Sequence, residues 1–213
     1  MENLISIIIR TKNEERWIGH AIQSVVDFTN NPEIIIVDNN STDDSRRIIS
    51  TFDYLDIKTI KINEYTPGSS LNRGVELATS DTVLILSAHC VITHCNLNKI
   101  DELLKAHVAI WGKQIPIWNG KKINRRYVWS NFKNRDDVNY FCKEENRPFL
   151  HNALCFYNKQ FLLENPFNEK LSGKEDRYWA IDRLEEGHNI YYDSSLIAHH
   201  HYTDNGSTWK GVG

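Results

Sequence analysis

The chain of 213 residues is 40% hydrophobic and 25% charged, which supports one compact domain with a substantial core and excludes a disordered chain. Its 25 basic and 28 acidic residues leave a net charge of −3, so the charge balance gives no reason to expect nucleic acid as a partner. No apolar run approaches the roughly 18 residues of a membrane span, and no basic leader precedes an apolar stretch, so neither a bilayer anchor nor a secretory signal is expected.

Ser6 to Arg10 is a β-branched run of the buried-strand kind. Trp17, Ile18, Ala21, Ile22, Val25 and Val26 follow as the apolar stripe of an amphipathic helix. Glu33 to Asp38 reads as a second buried strand, and Ser41 or Thr42 is placed to cap a helix running to about Phe52. Ile57 to Ile62 alternates as a third strand, Thr66-Pro67-Gly68 makes a turn, Ser69 to Ala78 a short helix and Thr82 to Leu86 a fourth strand. Strands alternating with helices give an α/β architecture with a mostly parallel central sheet flanked by helices, and in such sheets ligands bind beyond the C-terminal strand ends. The second half is less regular. Strands are expected at Ala106 to Trp111, Phe149 to Tyr157 and Asn189 to Tyr192, and a helix at Glu175 to Glu186. Residues 112 to about 148 are polar and aromatic without a clear period. With no repeat and no linker, residues 1–213 are expected to form a single domain. Cys90, Cys95, Cys142 and Cys155 lack paired metal spacing, so reduced thiols and a cytoplasmic setting are expected. The ending Trp209-Lys210-Gly211-Val212-Gly213 is compatible with a natural end and with a cut upstream of a further region.

The polar residues gather at the strand ends. Arg10-Thr11-Lys12-Asn13-Glu14-Glu15 follows the first strand and is, read plainly, a helix start with Asn13 as cap and two acids favoured by the helix dipole. Val37-Asp38-Asn39-Asn40-Ser41-Thr42-Asp43-Asp44-Ser45 follows the second, where Asp38 is either a polar turn residue or a ligand contact. Together with Ser6-Ile7-Ile8-Ile9 these segments resemble the inverting family 2 glycosyltransferases of the GT-A fold, a Rossmann-like arrangement. Gly68-Ser69-Ser70-Leu71-Asn72-Arg73-Gly74 matches a further region of that family loosely.

The resemblance implies that Thr11, Asn13, Glu14 and Asp38 surround the nucleoside of a nucleotide-sugar donor, with Asp38 on the base or ribose and Glu14 on the ribose hydroxyls. It places residues 1–95 on the donor and residues 96–213 on the acceptor. Asn72 and Arg73 would face the nucleotide, Arg73 either neutralising phosphate or forming a surface salt bridge. UDP is the first expected carrier, with GDP, dTDP and CMP open. The setting implied is surface polysaccharide or lipid-linked glycan synthesis, with a glycan or lipid-linked saccharide acceptor and peripheral association with the inner face of the membrane. The family's Asp-x-Asp, whose last carboxylate holds a divalent ion, is replaced here by Ser87-Ala88-His89. Three readings stay open: His89 ligates Mn²⁺ or Mg²⁺ with a histidine such as His199, His200 or His201; or it serves the phosphates without a metal; or the site is inactive.

Leu171-Ser172-Gly173-Lys174-Glu175-Asp176 resembles the family's Gly-x-Glu-Asp segment, which implies that Asp176 removes the acceptor proton while Glu175 holds the acceptor or the helix start. Adjacent carboxylates raise one another's proton affinity, which suits a base. Trp118, Tyr127, Trp129, Phe132, Tyr140 and Phe141 are candidates for stacking on an acceptor sugar, and Arg125, Arg126 and Arg147 for binding an acidic acceptor or the donor phosphates. Two other classes compete. A sugar nucleotidyltransferase would carry a glycine-rich loop after the first strand, and Arg10 to Glu14 holds no glycine. A noncatalytic nucleotide-sugar-binding module would explain the missing Asp-x-Asp.

Overall fold

The structure, a computed structural model, describes residues 5–123, 127–204, 206 and 209. Strands β1 (Ile5–Thr11), β2 (Glu33–Asp38) and β3 (Ile57–Lys61) run in parallel, and β4 (Thr82–Ser87) joins the other side of β1, also in parallel. β1 and β2 are runs of isoleucine because both of their faces are covered. Ile8 and Ile35 pack with Leu71 and Val75 of helix α3 (Pro67–Leu77) on one face. Ile7, Ile9, Ile34 and Ile36 pack on the other face with Ile18, Ile22 and Val25 of α1 (Ile18–Phe28). α3 starts at Pro67, two residues before the expected Ser69, and takes in part of the expected turn: Thr66 and Ser69 form a reciprocal capping box, and Pro67 needs no helical N–H partner.

The order β3-β2-β1-β4 reverses between β1 and β4, which opens a crevice at their C-terminal ends. Beyond β4 the sheet continues through β7 (Leu154–Asn158), β6 (Ala109–Trp118), β8 (Ile190–His201) and β5 (Cys90–His94). Two-residue strands at Lys121–Lys122 and Asp137–Val138 bring it to ten among the described residues. β7 is antiparallel to both β4 and β6, and so stitches the second half of the chain onto the first.

Several sequence expectations need correction. The helix expected from Ser41 or Thr42 is α2 (Ser45–Ser50), and Asp44 occupies its N-cap position; the Ser41 hydroxyl instead accepts from Asn13 N–H at 3.0 Å. Asn13 is no helix cap either, since its backbone is left-handed at φ 52° and α1 begins five residues later. Strand β7 starts at Leu154, not Phe149, and β6 runs on to Trp118. The last strand extends through His201, well past Tyr192, because its polar half pairs with β5 and β6. α4 (Leu97–Leu104) and α5 (Lys159–Glu164) were not expected. All four cysteines are free thiols.

The irregular middle also supplies core. Trp111 is enclosed by Phe132, Tyr140, Phe149 and Tyr192 at ring distances of 5.8, 5.7, 5.3 and 4.2 Å. Trp129, Phe132 and Tyr140 are therefore buried and present no face to a sugar. Arg125 and Arg126 and the side chain of Tyr127 lie outside the described residues.

Candidate active site

A cleft of about 800 Å³ lies over the C-terminal ends of β1 and β4, and Thr11, Glu14, Ser87, His89, Glu175 and Asp176 all line it. Residues from opposite ends of the sequence meet here because the strand order reverses at this point. Arg10 is in register with Ser87 and Thr11 with Asp38, so the donor-side candidates sit on three neighbouring strand ends.

The far wall is the start of α6 (Glu175–Glu185), entered through a left-handed Lys174 at φ 65°. Glu175 accepts from Arg10 Nη1 at 3.0 Å, an ion pair that ties α6 to the end of β1. Arg10 also donates to Pro67 O at 3.1 Å, which fixes the guanidinium against the start of α3. Burial pushes the Glu175 carboxyl up, against the pull of Arg10. Burial likewise raises Asp176, although it accepts from Asn152 N–H at 3.2 Å and from its neighbour Arg177 N–H at 2.8 Å. For Asp176 the leading cause is desolvation rather than the adjacent carboxylate.

The donor wall is built differently from what the sequence suggests. Asp38 is fully buried and is not part of the cleft lining; it accepts from Arg46 Nε at 2.6 Å and from Ser41 N–H at 3.0 Å. Asn13 joins two loops, its carbonyl accepting from Thr42 N–H at 2.8 Å. Asn72 lies outside the cleft lining and holds a distant segment: its amide donates to Phe167 O and Glu169 Oε1, both at 2.9 Å, and its carbonyl accepts from Phe167 N–H at 3.0 Å. Arg73 pairs with Glu76 at 2.7 Å on the exposed side of α3, which is the salt-bridge alternative. Arg147 does line the cleft, and so do the exposed rings of Tyr65 and Tyr178, which the sequence reading did not single out.

His89 meets His200, not His199 or His201. Alternate strand residues point to opposite faces, and His200 is buried while its two neighbours are only half-buried. His201 stacks on Trp17 at a ring distance of 3.9 Å. His89 Nε2 lies 3.1 Å from His200 Nε2, and His89 Nδ1 lies 3.1 Å from Glu14 Oε1. The network continues through Gln114, whose Oε1 is 2.7 Å from His200 Nδ1 and whose Nε2 is 3.0 Å from His151 Nδ1. The implied metal set of His89, His199 and His201 does not form. Both nitrogens of His89 are engaged by protein groups, and among the described residues no three His, Cys, Asp or Glu side chains converge as a ligand set.

Known proteins share this architecture. The chain is 29% identical over 219 residues to the O-antigen chain rhamnosyltransferase WbaN of Salmonella anatum, covering 93% of this chain and 67% of that protein. It is 30% identical over 171 residues to an uncharacterized glycosyltransferase of Haemophilus influenzae, covering 74% of this chain and 50% of the relative. Among solved structures, the 1–349 fragment of S. aureus TarS in complex with UDP-GlcNAc superposes with a TM-score of 0.73 at 19% identity, over 99% of this chain and 62% of the other. Mannosyltransferase PcManGT from Pyrobaculum calidifontis, in complex with GDP-Man and Mn²⁺, superposes with a TM-score of 0.70 at 16% identity, over 97% of this chain and 59% of the other. The chain thus spans only part of the length of these relatives. What fixes its kinship is the sequence model of glycosyl transferase family 2, which matches residues 6–164, from the first strand through the end of α5, and the chain belongs to that family.

Proposed function

We propose that this chain transfers a sugar, with inversion, from a nucleotide-sugar donor to a hydroxyl of a glycan or lipid-linked acceptor in surface polysaccharide synthesis. One observation carries the reading. A carboxyl group whose proton affinity is raised by burial, Asp176, shares a single cleft with the ends of β1 and β4, where the family binds its donor.

In the proposed reaction Asp176 takes the acceptor hydroxyl proton as the oxygen attacks the anomeric carbon from the side opposite the diphosphate. The bond from that carbon to the phosphate oxygen breaks, and the nucleoside diphosphate departs with the electron pair. Glu175 acts through Arg10: their ion pair holds the start of α6, and so Asp176, against the end of β1. Thr11 and Glu14 would meet the ribose, while Asp38, fully buried and paired with Arg46, would serve the base side of the donor. UDP is the first carrier to test, given the TarS complex with UDP-GlcNAc; GDP follows from the mannosyltransferase complex. Tyr65 and Tyr178 offer aromatic faces for an acceptor sugar at the cleft mouth. We treat residues 1–95 and 96–213 as one catalytic unit, a reading supported by the pairing of β7 with β4. Among the described residues no helix is long and apolar enough to cross a membrane.

The test is a thermal-shift panel of uridine, guanosine, thymidine and cytidine nucleotide sugars, followed by NMR of the product formed from the best donor. Ligand-linked stabilisation by one base family is expected, with the product anomer opposite to that of the donor. A retained anomeric configuration would refute the single displacement, and a panel without any stabilising nucleotide would refute the donor site.

A further inference from the structure

We infer that the acceptor saccharide carries an anionic group, a phosphate or a carboxylate, close to the hydroxyl that attacks, and that Arg147, Lys174 and Arg177 hold it. This rests on the donor-site reading above and names the acceptor class for the same cleft.

The three cations converge from two parts of the chain. Phe141–Cys142 and Arg147–Pro148 pair as a small antiparallel hairpin, and α6 packs against its second strand. Arg147 Nη2 pairs with Glu145, and Arg177 Nη2 reaches the other oxygen of the same carboxylate at 3.3 Å. Arg147 is held further. Its Nη1 donates to Pro148 O at 2.7 Å, and its guanidinium lies 5.4 Å from the centre of the Phe149 ring. A fork fixed in this way loses little freedom on meeting an oxyanion. Lys174 adds an exposed ammonium where the chain enters α6. All three residues line the cleft, whereas Glu145 does not.

Their place around Asp176 sets them on the acceptor side. Successive helix residues turn by about 100°, so Glu175 and Arg177 point in nearly opposite directions from α6. Glu175 turns to Arg10 at the end of β1, the donor side, and Arg177 turns to the hairpin, with Asp176 between them. In a displacement with inversion the attacking hydroxyl arrives opposite the leaving diphosphate, so the acceptor lies on the hairpin side of Asp176. Lys174 and Tyr178 are one turn apart, with Tyr178 N–H donating to Lys174 O at 3.2 Å. The ring proposed to stack on the acceptor sugar and an ammonium thus stand on one face.

Charge then decides the class of acceptor. Fastening the hairpin to α6 takes one guanidinium for one carboxylate; here two guanidiniums share Glu145, and Lys174 makes a third cation. Of the carboxylates that line the cleft beside them, Glu175 is matched by Arg10, and Asp176 loses its charge as it takes the acceptor proton. Among the described residues this half-buried wall therefore holds more positive than negative charge, which is costly until an anion joins it. A neutral sugar offers only hydroxyls and leaves the charge unmatched. The chain as a whole has a net charge of −3, so the surplus is local to this wall.

The experiment is calorimetric titration of the protein saturated with its best nucleoside diphosphate, which occupies the donor phosphate site. The probes are the methyl glycosides of galactose, glucose and mannose, the 1-phosphates of the same sugars, and galacturonic, glucuronic and mannuronic acids. For at least one sugar a charged probe is expected to bind at least about tenfold tighter than the neutral glycoside. A preference for the 1-phosphate names a phosphoryl group, as in a lipid-linked saccharide, and a preference for the acid names a carboxylate of the glycan. Arg147→Gln is expected to cut that preference about tenfold and Lys174→Asn about threefold, with nucleoside diphosphate affinity within about twofold of wild type. Lys174→Asn alters an exposed side chain at a left-handed position that Asn favours, so it tests the wall even where loss of Arg147 unfolds the hairpin. Neutral glycosides that bind as well as the charged probes, or no binding by any charged probe, would overturn the inference and leave the donor site standing. So would a tenfold loss of nucleoside diphosphate affinity in both variants, which would give the cations to the donor. Absence of binding by every nucleotide would overturn the donor site itself, and this inference with it.

Discussion

Asp176 and Glu175 are neighbours in sequence, yet their surroundings divide the work between them. Glu175 is matched by Arg10, whereas among the described residues Asp176 accepts hydrogen bonds from backbone N–H groups and has no side-chain ion pair. Burial outweighs these contacts, so the folded state disfavours ionised Asp176, and the sign of the linkage is fixed. Its proton affinity is higher folded than unfolded, so stability is lost as pH rises from the unfolded value near 4 through the higher folded value. Asp176→Asn is expected to remove that slope. The variant's stability relative to wild type should rise between acid and neutral pH in denaturant melts, and a constant difference would show that burial does not perturb the carboxyl. At this scale the sequence revealed acids, because helix starts and catalytic segments both display them in short motifs. It singled out Asn72 but not its role, since the partners that Asn72 holds lie 95 and 97 residues away. Nor did it reveal the choice of His200 over its neighbours, which the strand pairing decides.

The first four strands were legible from local rules, β-branched runs for the strands covered on both faces and alternation for β3. α3 was legible in its body but not in its start, which the Thr66–Ser69 capping box sets at Pro67 inside the expected turn. β8 was legible only in part. Its second half, with three histidines, is polar by composition and becomes a strand because β5 and β6 pair with it, after a register shift beyond Asp193. Gly74 has a packing reason that the loose family match did not supply. A Cβ there would stand 2.5 Å from Ile8 Cγ2, so α3 approaches β1 as closely as it does only without a side chain. Replacing Gly74 by Ala gains about 1 kcal/mol of helix propensity but overpacks a buried contact at about 1–3 kcal/mol, so a net loss of about 1 kcal/mol is expected in urea denaturation. A stabilised variant would mean that α3 shifts freely on the sheet.

Across the whole molecule the cleft exists because the sheet changes direction between β1 and β4 while β7 carries the second half back beside β4. Helix α6 then faces the strand ends, and Arg10 locks the two sides together. No local pattern foretold that lock, since it joins residues 165 positions apart. Of the aromatic residues expected to stack on a sugar, Trp129, Phe132 and Tyr140 proved to be core, and among the described residues Tyr65 and Tyr178 are the exposed aromatic rings that line the cleft. The central claim is that this arrangement serves one proton transfer to Asp176. It is tested most directly by single-turnover transfer from the best donor, wild type against Asp176→Asn, with donor affinity measured in the same samples. The account predicts a loss of at least about a thousandfold in the transfer rate with donor affinity within about twofold, because a general base and its positioning contribute on that order. Transfer by Asp176→Asn within tenfold of wild type would contradict it.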